Sequence, residues 1–247
     1  DEDLEWATRL ALEVRRRVKE QQKRVGAAEF RNTHFSYFIG EDGVEKFIAT
    51  PELRSDNEIG DDPLEPGQVW TISEGGSDID DNAGLYRIET NEGPGSGVKI
   101  LNNPVPAAFR ESVRYAEQNL YARAQQLVGD RDPRSHEFTL QLRAFDAAKK
   151  GSKLGVAALI AMCSSMLKKP VKGGLILVGE VNLGGSIEPI SNAVNIAELA
   201  VEKGASALLM PVTARRQLYD LSDDMATKVD IQFYQDARDA LLKSLVE

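Results

Sequence analysis

Apolar residues recur at steps of three and four along the start of the chain: Leu4, Ala7, Ala11, Val14 and Val18. This spacing predicts a helix over residues 2 to about 25 with one apolar stripe. Acidic residues crowd its start and basic residues its end, which is the order that the helix macrodipole favours. The basic end could contact phosphate, but a solvated face on a packing helix explains the same pattern.

In the next segment, apolar and polar residues alternate. Phe35, Tyr37 and Ile39 alternate with polar residues before a turn at 40–43 and a returning strand, which predicts a β-hairpin. Residues 51–67 are acidic, contain prolines and lack periodicity, so we expect a linker or a surface excursion. With a boundary near Pro66, the chain has three expected parts: a linker helix (1–26), a hairpin with an acidic linker (27–67) and a main domain (68–247).

The main domain mixes strand and helix patterns, which predicts an α/β (α+β) fold with two layers. The predicted strands are 68–73, 84–90, 98–101, 136–142, 174–178, 207–210 and 231–233. The predicted helices are 106–127, 156–167, 192–203, 213–220 and 236–246. Residues 156–167 are apolar nearly all round, so we expect a buried helix there. Gly184-Gly185 predicts a two-residue hairpin turn between two short strands.

Composition limits the possible functions. The formal net charge of −9 disfavours general binding to nucleic acid or anionic membrane, so any DNA contact must be local or made by other domains. No apolar run approaches the ~18 residues that span a bilayer, and the first 25 residues are too charged for a signal peptide. The single cysteine, Cys163, cannot form an internal disulfide, which favours a reducing, cytoplasmic location.

Motifs for phosphate and metal binding fail on their spacing. Gly93–Lys99 is glycine-rich, but it lacks P-loop spacing and leads into a strand, so we expect a strand-connecting turn. His34 and His136 lie far apart, and Cys163 has no partner at a metal-ligand spacing. We therefore expect no metal and no cofactor on this chain, and we interpret His136 as a surface or hydrogen-bonded residue.

Two acidic sites have ordinary interpretations. Asp78, Asp80 and Asp81 lack the glycine and distal glutamate of an EF-hand loop, so we expect a solvated turn. Glu180 directly follows a buried strand, where a carboxylate is costly unless it has a partner or reaches solvent. It is a candidate hydrogen-bond acceptor.

Ser152 and Lys153 are the candidate nucleophile and base. A serine–lysine dyad needs a partly desolvated amine that can take the serine proton. Sequence neighbours rarely face each other in this way, and Ser152 lies where it could cap a helix that begins near Leu154. We expect Ser152 to be a cap or a loop residue.

A family resemblance is carried by four segments: 155–171, 179–190, 197–205 and Leu209-Met210-Pro211. With these segments, residues 68–247 resemble the proteolytic domain of Lon. The whole chain resembles the carboxy-terminal part of the Lon-related proteins of BREX phage-defence systems. The resemblance implies a Lon protease-like fold of the ribosomal protein S5 domain 2-like type.

The same resemblance implies that the catalytic dyad of Lon is lost. The nucleophile of active Lon lies in G-P-S-A-G, which aligns with Gly151–Gly155 and puts Lys153 at the serine position. The catalytic lysine ends P-I-G-G-L-K-E-K, which aligns with residues 189–196 and puts Ile196 at the position of the base. Isoleucine cannot accept a proton, and loss of a positioned base costs on the order of 10²–10⁴-fold. No intact catalytic residue is expected, and Ser152 is the fallback nucleophile.

Three functions are open at this point. The first is an inactive Lon-like domain that forms a homo-oligomer (a hexameric ring or a double ring). In this role it supports an AAA+ domain of the same longer protein. That AAA+ domain would bind ATP and Mg and engage DNA, and the longer protein would work with other BREX proteins. The second is an ATP-dependent Lon-type serine peptidase that uses Ser152. The third is a partner-docking module around Glu180–Gly185. Because the chain opens without methionine, we expect a longer protein.

Overall fold

The computed structural model describes residues 2–31, 33–39, 45–51, 59–73, 83–145 and 151–247, with side chains at 2–20 and, within these ranges, from residue 59 onward. The chain divides into two compact units, residues 1–57 and 58–247. The three-part assignment of roles, with its boundary near Pro66, stays a prediction.

The first unit contains the predicted helix and hairpin. Helix α1 spans Glu2–Arg31, which is longer than the expected range, and acidic residues occupy its first turn. Strands β1 (Thr33–Ile39) and β2 (Glu45–Pro51) pair antiparallel, with Tyr37 opposite Phe47. The expected turn at 40–43 lies outside the described residues.

The second unit is built on a mixed seven-stranded sheet. Its strands are β3 (Gln68–Ser73), β4 (Gly84–Pro94), β5 (Gly97–Ile100), β6 (His136–Ala144), β7 (Leu175–Leu177), β10 (Ala207–Pro211) and β11 (Asp230–Tyr234). Their order is β11-β10-β7-β3-β4-β6-β5. Strands β3, β4 and β6 pair antiparallel, whereas β3–β7–β10–β11 and β5–β6 pair parallel. Two further strands, β8 (Glu180–Val181) and β9 (Ile187–Glu188), form a separate hairpin.

The helices of this unit are α2 (Ala107–Ala122), α3 (Ala124–Val128), α4 (Gly155–Leu167), α5 (Ala193–Glu202), α6 (Asp223–Lys228) and α7 (Ala237–Ser244). Two 3-10 helices span Pro133–Ser135 and Val212–Asp220. The expectation of one helix over 106–127 was wrong, because Arg123 leaves the helical conformation (φ −123°, ψ 26°) between α2 and α3. Helix α6 was not predicted.

Apolar residues cover both faces of the sheet. Leu175 and Leu177 belong to one buried cluster with α2, α4 and α7, whereas Ile176 between them belongs to a second cluster with α5. Successive strand residues point to opposite faces, so the two clusters lie on opposite sides of the sheet. The α/β fold class is confirmed, with the addition that α5 covers the second face. The expected buried helix is also confirmed, because every residue of α4 from Gly155 to Ser164 is buried.

Candidate functional site

The loop before α4 is a tight turn attached to the end of β3. Gly151 (φ 54°) and Lys153 (φ 58°) both adopt left-handed conformations, which is uncommon for a residue with a side chain. Ser73 Oγ donates a 3.1 Å hydrogen bond to the carbonyl oxygen of Ser152, and the two serine Oγ atoms lie 3.4 Å apart. The Ser152 hydroxyl therefore lies beside the hydroxyl of another serine, which is not a base at neutral pH.

Ser152 does not cap α4; it lies in the loop before this helix, which is the other of the two positions expected for it. The helix has Leu154 at its N-cap position without a side-chain cap bond of its own. Instead, Leu154 N donates to Ser112 Oγ at 3.2 Å, and Val156 N donates to the carbonyl oxygen of Gly179 at 3.2 Å. Groups from α2 and from the segment before β8 thus accept hydrogen bonds that the first turn of a helix cannot make internally.

Glu180 completes this cap. Its Oε2 accepts a 2.6 Å hydrogen bond from Ser112 Oγ, its Oε1 accepts one of 2.9 Å from Val181 N, and its carboxylate also accepts one from the backbone N–H of Gly155. A Cβ at residue 155 would overlap Glu180 Oε1, so the glycine allows the close approach. The sequence-based expectation that Glu180 is a hydrogen-bond acceptor agrees with these contacts.

Burial controls the electrostatics of this carboxyl. Desolvation raises the pKa of Glu180 above 4.5, although the hydrogen bonds from Ser112 and from the backbone oppose the shift. The negative charge of Glu111 on α2 acts in the same direction as desolvation. The pKa of the Tyr115 hydroxyl is raised in turn, first by its hydrogen bond to Glu111 and also by the charges of Glu180 and Glu188. The net effect of these surroundings is a raised pKa for the Glu180 carboxyl.

The β8–β9 hairpin is tied to α2. Asn119 Nδ2 donates to the carbonyl oxygen of Asn182 at 2.8 Å, and the Arg123 guanidinium donates to the carbonyl oxygen of Gly184. Asn119 also accepts a 2.9 Å bond from Arg123. These contacts hold the hairpin over the start of α4, while Leu183 at its tip is exposed.

The hairpin turn differs from the expectation of two residues. Glu180 pairs with Glu188 and Val181 with Ile187, which leaves Asn182 opposite Ser186. The loop therefore has three residues, of which Gly185 (φ 87°) is left-handed. Three-residue hairpin loops have this conformation, with glycine at the left-handed position.

The two positions aligned with the Lon dyad lie in different surroundings. Lys153 is exposed beside the start of α4. Ile196 lies on α5, is 0% exposed and belongs to the second apolar cluster, whereas Leu154, the neighbour of Lys153, belongs to the first. Ile196, which the resemblance to Lon aligns with the base, is therefore a hydrocarbon closely surrounded by other hydrocarbons.

The remaining candidates have structural contacts. His136 Nδ1 lies 2.9 Å from Glu92 Oε1, in agreement with the interpretation of a hydrogen-bonded residue. Burial raises the pKa of the Cys163 thiol to about 12, which makes it unreactive. Gly93–Lys99 connects β4 to β5, as expected for a turn between strands.

Some candidates lie outside the described residues: Asp78, Asp80, Asp81 and the side chain of His34. Within the part of the chain that the structure describes, no group of three or more His, Cys, Asp or Glu side chains is arranged to hold a metal ion. Over the same residues, no helix combines the length and apolar character needed to cross a membrane.

Sequence reasoning missed two polar residues of the site. Ser112 and Asn119 are 1% and 0% exposed, and both lie on the buried face of α2 with Phe109 and Ala116. Polar residues two turns apart within an apolar stripe were the available signal, because buried polar groups need hydrogen-bond partners. Ser73 gave no comparable signal.

The fold and the site define the class of this protein. The family model described as "Lon protease (S16) C-terminal proteolytic domain" matches residues 39–247. The chain belongs to this family.

Among its relatives are two proteins named "Lon-like protease BrxL". The one from Bacillus cereus (strain H3081.97) is 30% identical over 247 residues, covering 99% of this chain and 36% of the relative. The one from Escherichia coli O9:H4 (strain HS) is 31% identical over 249 residues, covering 99% of this chain and 35% of the relative. A "Lon protease" from Methylocella silvestris is 28% identical over 178 residues, covering 71% and 21% of the two chains. The chain thus spans about a third of the length of the BrxL relatives.

Proposed function

We propose that this chain is a proteolytically inactive Lon-like domain of a BREX phage-defence protein. In this role it forms a ring of identical subunits and supports a DNA-engaging AAA+ domain of the same protein in the cytoplasm. One observation carries the proposal: Ile196, at the position aligned with the catalytic lysine, is fully buried in an apolar cluster. A hydrocarbon at that position cannot take the proton of a nucleophile.

The surroundings of the aligned nucleophile support the same conclusion. Lys153 stands where active Lon has serine, and its ammonium group cannot form an acyl-ester. Ser152, one residue earlier, contacts the hydroxyl of Ser73. Since Glu180 is occupied by Ser112 and two backbone N–H groups, it serves as a helix cap. The Ser112 hydroxyl and the Glu180 carboxylate therefore stabilise the start of α4.

The role in assembly rests on the preserved scaffold and on the relatives. The two BrxL relatives are longer than this chain, and they match it over nearly its whole length. ATP and Mg would bind to the AAA+ domain, and DNA and other BREX proteins would be contacted mainly elsewhere, as the charge of −9 favours. Homo-oligomers usually have closed symmetry, and a ring requires a head-to-tail contact between two different surfaces.

The alternative is an ATP-dependent serine peptidase with Ser152 as a displaced nucleophile. The names of the relatives and the position of Ser152 beside the start of α4 favour it. Hydrolysis of a fluorescently labelled unfolded protein by this chain, and by the longer protein that carries it with and without ATP, separates the two functions. We expect wild type and Ser152→Ala to show the same background rate. A rate that falls with Ser152→Ala but persists with the control Ser186→Ala would overturn the proposal.

Assembly is tested by sedimentation velocity on this chain and on the longer protein that carries it. We expect concentration-dependent oligomers that persist in the Ser152→Ala variant. A monomer at every concentration in both proteins would contradict the assembly role while leaving the question of catalysis to the hydrolysis experiment.

A further inference from the structure

We draw no further inference here: the strongest candidate, a polar cavity of about 410 Å³ that lies across strands β3, β4 and β6 and is lined by Gln68, Glu89 and Gln141 among other residues, carries nothing because nothing in the structure shows what covers it.

Discussion

Ser112 Oγ donates a 2.6 Å hydrogen bond to Glu180 Oε2 while it accepts a bond from the backbone N–H of Leu154. One hydroxyl thus joins α2, the start of α4 and the β8–β9 hairpin. Its consequences for stability can be measured directly.

Removal of this hydroxyl should destabilise the fold. Ser112→Ala leaves the Leu154 N–H and one carboxylate oxygen without their partner, and a buried unsatisfied polar group costs about 1–3 kcal/mol. Urea unfolding should show a lower midpoint for Ser112→Ala. The control Ser186→Ala removes an exposed hydroxyl and should change the free energy of unfolding by less than about 0.5 kcal/mol. Equal effects of the two variants would show that the Ser112 contact is unimportant.

The raised pKa of Glu180 predicts the direction of a pH dependence. Because the folded state holds this proton more tightly than the unfolded state, the contribution of Glu180 to stability is greatest below the unfolded pKa near 4.5. It decreases as pH rises through the higher pKa of the folded state. The stability advantage of wild type over Glu180→Gln should therefore shrink as pH rises across this window.

Urea unfolding at a series of pH values measures that difference, with Glu198→Gln, an exposed carboxyl on α5, as the control. We expect no comparable change with pH for the control. An advantage of wild type over Glu180→Gln that grows with pH would mean that the pKa is lowered in the folded state.

The close approach of the Glu180 carboxylate to the start of α4 requires a glycine at position 155. Alanine normally favours a helix over glycine by about 1 kcal/mol. At this position, however, the added Cβ would overlap Glu180 Oε1, so Gly155→Ala should lower the melting temperature. Gly184→Ala is the matched control, since its Cβ would lie 3.5 Å from Asn182 Oδ1 in ordinary contact.

The clash can be tested by a double-mutant cycle. If Glu180 is the obstacle, adding Gly155→Ala to Glu180→Ala should cost less than adding it to wild type. Fully additive effects would mean that another neighbour opposes the Cβ.

Position 196 should not tolerate a lysine. A lysine there would carry its charge into an apolar cluster, and Ile196→Lys should lower the free energy of unfolding by more than about 3 kcal/mol. The conservative variant Ile196→Val should cost about 0.5–1.5 kcal/mol. Chemical denaturation measures both, and a stable Ile196→Lys protein would show that this side chain can reach solvent or a partner.

Local patterns predicted the elements of this fold well. The all-round apolar segment gave a buried helix at α4, and the predicted strand 68–73 coincides with β3. Long elements of this kind depend on periodicity, which is visible in sequence. The break between α2 and α3 at Arg123 was missed. The Arg123 guanidinium contacts Gly184 in the distant hairpin, and no local pattern records that contact.

The sequence by itself determined the class of fold and the family, because these depend on residue type and spacing. Only the tertiary structure decided that α4 is capped by Ser112, Gly179 and Glu180 rather than by Ser152. The physical reason is that hydrogen-bond partners and desolvation arise where segments far apart in the chain meet, and one sequence does not specify which buried donor will reach which acceptor.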